Sequence, residues 1–188
     1  MFTEPSNIVQ KSGWIEVVCG SMFSGKTEEL IRRLKRAKIA HQQVGIFKPL
    51  LDNRYHENNI VSHNETTISA TAVADAKNIL ELANEFGVIG IDEAQFFGEE
   101  ILPVVEHLAN RGKRVIVAGL DMDYAGKPFG PMPQLLSIAN FVTKLHAVCM
   151  QCGGVASYSF RISNKTDQVV IGEKDHYEAR CRACFHAQ

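Results

Sequence analysis

Up to about residue 147 the chain alternates short apolar runs with longer segments of helical period. The runs are WIEVVC from Trp14, VGIFK from Val44, VIGI from Val88 and VIVAGL from Val115. They are too short for helices and nearly continuous in apolar character, which predicts strands buried on both faces. Between them, residues 26–40 bring Leu30, Ile31, Leu34 and Ala37 onto one helical face, and 75–86 carry Ile79, Leu80, Leu82 and Ala83 behind Asp75 as a cap. A third helix over 99–110 admits Pro103 only in its first turn or at a bend. Strand and helix alternating in this way predict an α/β fold, a mostly parallel sheet with helices on both faces. In such sheets the chemistry gathers at the carboxyl ends of the strands.

Two stretches break the pattern. Residues 52–67, DNRYHENNIVSHNETT, follow neither period and are long for a connection, which marks a functional or mobile loop. From Cys149 onward, two cysteine pairs surround what reads as a hairpin of VASYSFRI and QVVIG. This predicts two units: an α/β domain over 1–147 and a small zinc-ribbon-like domain over 148–188.

Composition narrows the picture. A chain of 188 residues with 45% hydrophobic content can bury one good core and a small appendage. Twenty basic against 21 acidic residues leave a net charge of -1, so there is no global electrostatic case for nucleic acid or a membrane as partner. The basic run Arg32, Arg33, Lys35, Arg36, Lys38 follows Glu28 and Glu29 at helical spacing and reads as a solvated, partly paired helix face. The N-terminus lacks a signal-peptide pattern and no segment has the length of a membrane span, so a reducing, cytoplasmic setting is expected.

The chemistry begins at GSMFSGKT. Gly20, Gly25, Lys26 and Thr27 match G-x-x-x-x-G-K-[ST], between a predicted strand and a predicted helix. The backbone N–H groups of such a loop close around phosphate oxygens, the lysine reaches the outer phosphates and the threonine hydroxyl meets magnesium, which predicts a nucleoside triphosphate site. A second apolar strand ends in Asp92-Glu93. Adjacent acids point different ways, so Asp92 can organise magnesium while Glu93 takes a proton from the attacking group.

Cys149 and Cys152 with Cys181 and Cys184 form paired C-x-x-C knuckles, four thiolates for tetrahedral zinc. In a reducing compartment a structural zinc is expected over two disulfides, with no coordination position left for catalysis. Cys19 reads as a small buried residue, and the seven histidines show no ligand spacing. Two segments stay open between roles. The zinc-closed loop 163–177 either offers backbone groups to a flat ligand or packs on the main sheet. In GLDMDYAGKPFGPM, Leu120, Tyr124 and Phe129 either wall an apolar slot or fill core.

The ordered set GSMFSGKT, LLDNRY, IGIDEAQFF, GLDMDYAGKPFG, CMQC, VVIGEKDHY and CRAC resembles the two-domain, zinc-containing thymidine kinases of bacteria, some viruses and the animal cytosol, over nearly the whole chain. The resemblance implies transfer of the γ-phosphoryl of ATP to the 5′-hydroxyl of thymidine, with deoxyuridine as a further acceptor, in pyrimidine salvage. It implies that Gly20, Ser21, Met22, Phe23, Ser24, Gly25, Lys26, Thr27 and Arg54 bind ATP, that Thr27 and Asp92 serve magnesium, and that Glu93 is the general base. It implies a thymidine pocket of Met22, Asp52, Phe96, Leu120, Tyr124, Phe129 and Tyr177, with the backbone of Val170, Ile171 and Gly172 reading the base edge from a loop over 163–177 that covers the substrate. Structural zinc, a homotetramer and feedback inhibition by thymidine triphosphate are implied as well. Two rivals remain: a phosphate-loop ATPase in which Glu93 activates water, and a nucleotide-gated nucleic-acid-binding protein, which the near-neutral charge disfavours.

Overall fold

The computed structural model describes residues 13–50, 59–61, 67–162 and 176–187. Six parallel strands form the main sheet: β1 (Trp14–Gly20), β2 (Val44–Pro49), β5 (Thr71–Val73), β6 (Val88–Ile91), β7 (Arg114–Gly119) and β8 (Phe141–Leu145), in the order β5-β2-β6-β7-β1-β8. Two short strands, β3 (Asn59–Val61) and β4 (Thr67–Ser69), pair antiparallel beside it.

Strand pleat sorts the core into two layers. On β1, Ile15, Val17 and Cys19 face one side and Val18 the other; on β7, Val115 and Val117 oppose Ile116 and Ala118. Helix α1 (Lys26–Ile39) covers one face with Leu30, Ile31, Leu34 and Ala37. The other face is covered by α2 (Asn78–Leu82), α3 (Ile101–Asn110) and α4 (Met132–Ile138), which bury Ile79, Ile101, Val104, Val105, Leu108, Met132 and Leu135. Helices therefore lie on both faces, as the alternation predicts, and Pro103 falls in the first turn of α3.

Three differences from the sequence pattern have physical causes. The helix expected over 75–86 spans only Asn78–Leu82. Asp75 accepts the Lys77 N–H at 2.8 Å and so caps a turn ahead of the helix. Beyond the helix, Lys113 Nζ donates to the carbonyls of Ala83, Asn84 and Phe86, satisfying the groups that a further turn would use. Strand β8 escaped the pattern because it is an edge strand that exposes Val142 and Lys144, and β5 because it has only three residues.

The basic helix face also differs. Arg32 is exposed and pairs with Glu29 at 2.6 Å, but Arg33 is fully buried. Its guanidinium meets the equally buried Glu16 at 2.8 Å, Glu29 at 2.8 Å and Thr143 Oγ1 at 2.8 Å. Arg114 reaches Glu16 from the other side at 2.7 Å, and Trp14 Nε1 donates to the same carboxylate at 2.7 Å. Adjacent residues on a helix differ by about 100° in direction, so one arginine of the pair turns inward.

The C-terminal segment forms two small antiparallel pairs. Strand β9 (Ala147–Val148) pairs with β10 (Val155–Ala156), and β11 (Tyr158–Arg161) pairs with β12 (Tyr177–Arg180), after which α5 (Arg182–His186) closes the chain. VASYSFRI is thus divided between β10 and β11, whose described partners are β9 and β12; residues 168–172, expected in the hairpin, lie outside the described residues.

Candidate active site

The loop between β1 and α1 needs both of its motif glycines. Gly20 has φ 146°, and a Cβ there would collide with the Leu145 carbonyl oxygen on β8. Gly25, at φ 85°, is the left-handed residue immediately before α1. Lys26 Nζ donates across the loop to the Ser21 carbonyl at 2.9 Å. Burial pushes the Lys26 pKa down, against the pull of Glu93 and Asp92. Among the described residues, the buried side-chain oxygens without a partner are Ser21 Oγ, Ser24 Oγ and Asp121 Oδ1. Buried hydroxyls in native proteins are normally paired, so two orphans on one glycine-flanked loop fit a site that a polar ligand completes. Phe23 lies in the same loop at φ 64°.

Strand β6 brings the acids beside this loop. Thr27 Oγ1 donates to Asp92 Oδ2 at 3.3 Å, and Asp92 Oδ1 accepts the Glu93 N–H at 3.0 Å. Burial, reinforced by the neighbouring Glu93, raises the Asp92 pKa to about 7. The two acids diverge because Glu93 turns into the left-handed region at φ 54°, the entry to a short 3-10 turn, Ala94–Phe96. Glu93 is then held by Gln95, whose Nε2 donates to Glu93 Oε2 and whose Oε1 accepts the Leu120 N–H at 2.9 Å. Gln95 is buried and fastens the end of β6 to the end of β7. Sequence reasoning missed it, although a single amide between Ala94 and Phe96 in an apolar stretch was the available signal.

A stability prediction follows from Asp92. With its folded pKa raised, folding takes up a proton: the resulting stabilisation is full below the ordinary carboxyl pKa of about 4 and is lost as pH rises through about 7. In magnesium-free buffer at pH 8, Asp92→Asn is expected to melt a few degrees above wild type, at about 2–4 °C per kcal/mol for a chain of this size. At pH 4.5 most of that gap should be gone. Parallel melting curves at the two pH values check this; an equal gap at both would remove Asp92 titration as the cause.

The loop after β7 supplies aromatic rings. Phe96 and Phe129 meet edge to face at 5.5 Å between centroids. Tyr124 lies beneath the Arg161 guanidinium, 3.7 Å from its ring centroid, and Tyr177 Oη accepts from Arg161 at 2.8 and 3.3 Å. Tyr124 and Tyr177 are thus brought together around Arg161, a buried arginine on β11 that no local spacing marks out. Leu120, Tyr124, Phe96 and Phe129 are all half-buried, unlike the sheet core, and Met22 is half-buried beside them in exposure. The Met22 N–H is engaged by Ser159 Oγ at 2.9 Å, so this group is committed to β11 and not to a phosphate cradle. Asp121, at the end of β7, pairs with Lys144 at 2.6 Å. Cys19 is buried and its thiol is pushed up to about 11 by burial, with Asp121 adding to the shift, which makes it an unreactive thiol. Asp52, Arg54, Val170, Ile171 and Gly172 lie outside the described residues.

The four knuckle cysteines converge. The sulfurs of Cys149, Cys152, Cys181 and Cys184 all lie within 4.8 Å of one another, and Cys152 and Cys181 are 3.7 Å apart. A tetrahedral zinc with bonds of about 2.3 Å asks for sulfur separations near 3.8 Å, so the donor set fits that metal. Backbone N–H groups of Cys181, Cys152 and Gln151 directed at Cys149 bring its pKa down to about 6, while hydrogen bonds with Cys181 and Cys152 push Cys184 up to about 12. No helix among the described residues is long and apolar enough to cross a membrane.

Comparison of the sequence with known proteins finds one family over most of the chain. The family model described as thymidine kinase matches residues 13–185. The thymidine kinase of Rhodothermus sp. (strain ITI 518) is 57% identical over 173 residues, covering 92% of this chain and 81% of that protein. That of Porphyromonas gingivalis (strain ATCC BAA-308 / W83) is 56% identical over 175 residues, 93% of this chain and 86% of its own. That of Bdellovibrio bacteriovorus is 53% identical over 178 residues, 94% of this chain and 87% of its own. Among solved structures, the genome-packaging NTPase of Sulfolobus turreted icosahedral virus 2 aligns with a TM-score of 0.46 at 16% identity, over 70% of this chain and 74% of that one.

Proposed function

The chain belongs to the thymidine kinase family, and from that premise we propose that it transfers the γ-phosphoryl group of ATP to the 5′-hydroxyl of thymidine, and of deoxyuridine, giving the nucleoside monophosphate. The observation that carries the reading is the meeting of three elements at the carboxyl edge of the sheet: the glycine-flanked loop, Thr27 against Asp92, and Glu93 fixed by Gln95.

Phosphoryl transfer asks chiefly for positioning and charge neutralisation. In this reading, free backbone N–H groups of the 20–27 loop and the Lys26 ammonium neutralise the ATP phosphates, with Arg54 joining from the 51–58 segment. Magnesium accompanying ATP would be held by Thr27 Oγ1 and Asp92, and supplies further charge neutralisation on the phosphates. Glu93 accepts the 5′-hydroxyl proton as the oxygen attacks the γ-phosphorus and the bond from that phosphorus to the β–γ bridging oxygen breaks to release ADP, while Gln95 holds the Glu93 carboxylate. On the strength of the family, Phe96, Leu120, Tyr124, Phe129, Met22 and Tyr177 would enclose the base, Asp52 would serve the sugar, and the backbone of Val170, Ile171 and Gly172 would read the base edge. A thymine edge offers an acceptor at position 4 and a donor at N3, and cytosine offers the reverse. Each mismatched buried group costs about 1–3 kcal/mol, so backbone alone can exclude deoxycytidine.

Zinc held by Cys149, Cys152, Cys181 and Cys184 is structural in this reading, since four thiolates leave no open position. A boundary between units near residue 147, a homotetramer, feedback inhibition by thymidine triphosphate and a cytoplasmic setting belong to the same proposal on the strength of the family.

The test is ATP consumption with magnesium, with and without thymidine, and the mass of the phosphorylated product. Thymidine-dependent thymidine monophosphate is the expected result. ADP release independent of any acceptor would leave an ATPase and overturn the nucleoside pocket.

A further inference from the structure

The phosphate loop is tied to more than the sheet that carries it. Two consecutive residues reach away from the α/β core: Met22 donates its N–H to Ser159 Oγ on β11 at 2.9 Å, and Phe23 packs against the small cluster of Ala147, Cys149, Ala156 and Ala179, beside Cys181 and Cys184. Phe23 accepts a positive φ of 64° to do so, a conformation that non-glycine residues hold only where the surroundings impose it. Ser159 is buried, and its strand partner across the β11–β12 pair is Ala179. Ala179 in turn accepts the Met150 N–H at 2.9 Å, inside the first cysteine knuckle. An unbroken line of packing and hydrogen bonds therefore runs from the metal-binding cysteines to the tip of the loop.

We propose that Ser159 is a positioning residue of the ATP site, through which the C-terminal cysteine module holds the phosphate loop in its binding conformation. This rests on the reading of that loop as the ATP site. A loop flanked by Gly20 and Gly25 has wide conformational freedom, and fixing it at the moment of binding weakens affinity. The Ser159 contact fixes it beforehand. The module then serves nucleotide binding as well as any nucleoside contacts its own loop makes.

The experiment is a nucleotide-binding titration on zinc-loaded protein without thymidine, for wild type, Ser159→Ala and Ser159→Thr, with zinc content and melting temperature measured alongside. Amide exchange at Met22 reports the bond itself. Ser159→Ala is expected to bind ATP about three- to tenfold more weakly, the worth of one buried hydrogen bond, and to lose protection at Met22. In turnover the loss falls on the KM for ATP and not on kcat. Ser159→Thr, which keeps the hydroxyl, restores affinity to within about twofold. Unchanged or tighter ATP binding by a folded, zinc-replete Ser159→Ala overturns the proposal, and so does a threonine variant as weak as the alanine one, which would assign the effect to packing. Failure of the wild-type protein to bind ATP is a different result: it overturns the reading of the loop as an ATP site.

Discussion

Replacing Glu93 by glutamine is expected to lower kcat by about 10²–10⁴-fold, the span that positioned general bases contribute, while ATP affinity stays within about twofold. Glutamine is isosteric, and its amide oxygen can still accept from Gln95 Nε2, so the left-handed turn at residue 93 and the link to Leu120 are kept. The change removes the proton acceptor and its charge and little else. Loss of that charge also relieves Asp92, whose raised pKa owes its second-largest cause to Glu93. The Asp92 carboxylate is then easier to form, which protects nucleotide binding from the substitution. Steady-state turnover and a binding titration on the same preparation check this. If turnover and ATP affinity fell together, Glu93 would be a structural support of the loop and not the base. A kcat within tenfold of wild type would move proton transfer to another group.

The largest effect on stability is expected at Glu16. Its carboxylate sits fully buried between Arg33 and Arg114 and also accepts from Trp14, so that α1 and β7 are joined through β1, and Arg33 adds Thr143 on β8. Glu16→Leu removes the buried carboxylate that Arg33 and Arg114 share, while Arg33 keeps its contact with Glu29. Breaking one partner out of such a cluster costs about 3–5 kcal/mol, which for a chain of this length lowers the melting temperature by roughly 6–20 °C. The triple replacement Glu16→Leu, Arg33→Met, Arg114→Met removes the charges together and is expected to recover most of the loss, because desolvating the ions no longer opposes folding. A single variant that melts within about 2 °C of wild type would mean that water relieves the cluster. A triple variant less stable than the single would mean that the charges are net stabilising.

The two predictions draw on features of different legibility. The loop at 20–27, the Asp92-Glu93 pair and the cysteine knuckles stand out in the sequence because each is a local spacing, with chemistry that depends on neighbours a few residues apart. The six-stranded sheet was legible in its four interior strands, where burial on both faces leaves a nearly continuous apolar run, and not at its edges, where β8 alternates and β5 is three residues long. The parts that escaped are long-range. Met22 and Ser159 are 137 residues apart, and Arg114 and Glu16 are 98 apart. No window along the chain contains both members of either pair. Arg33 shows the same limit: its spacing to Glu29 was visible and correct, but the carboxylate that draws it inward lies on another element. Tyr124 is held by a residue of that kind too, since Arg161 stacks on it from β11.

The sheet order has a consequence for how the chain is made. Strand β1 leaves the ribosome well before both of its neighbours, β7 and β8; 125 residues separate Ile15 from the Asn140 side chain that binds its N–H. At about 5–20 residues per second, the strand Trp14–Gly20 waits roughly 6–25 s for its outer neighbour. Until β7 and then β8 emerge, an apolar strand with unpaired edges is presented to the cell. A steep dependence of soluble yield on translation rate and temperature is the expected signature of a strand whose two partners are both made about 100 residues later.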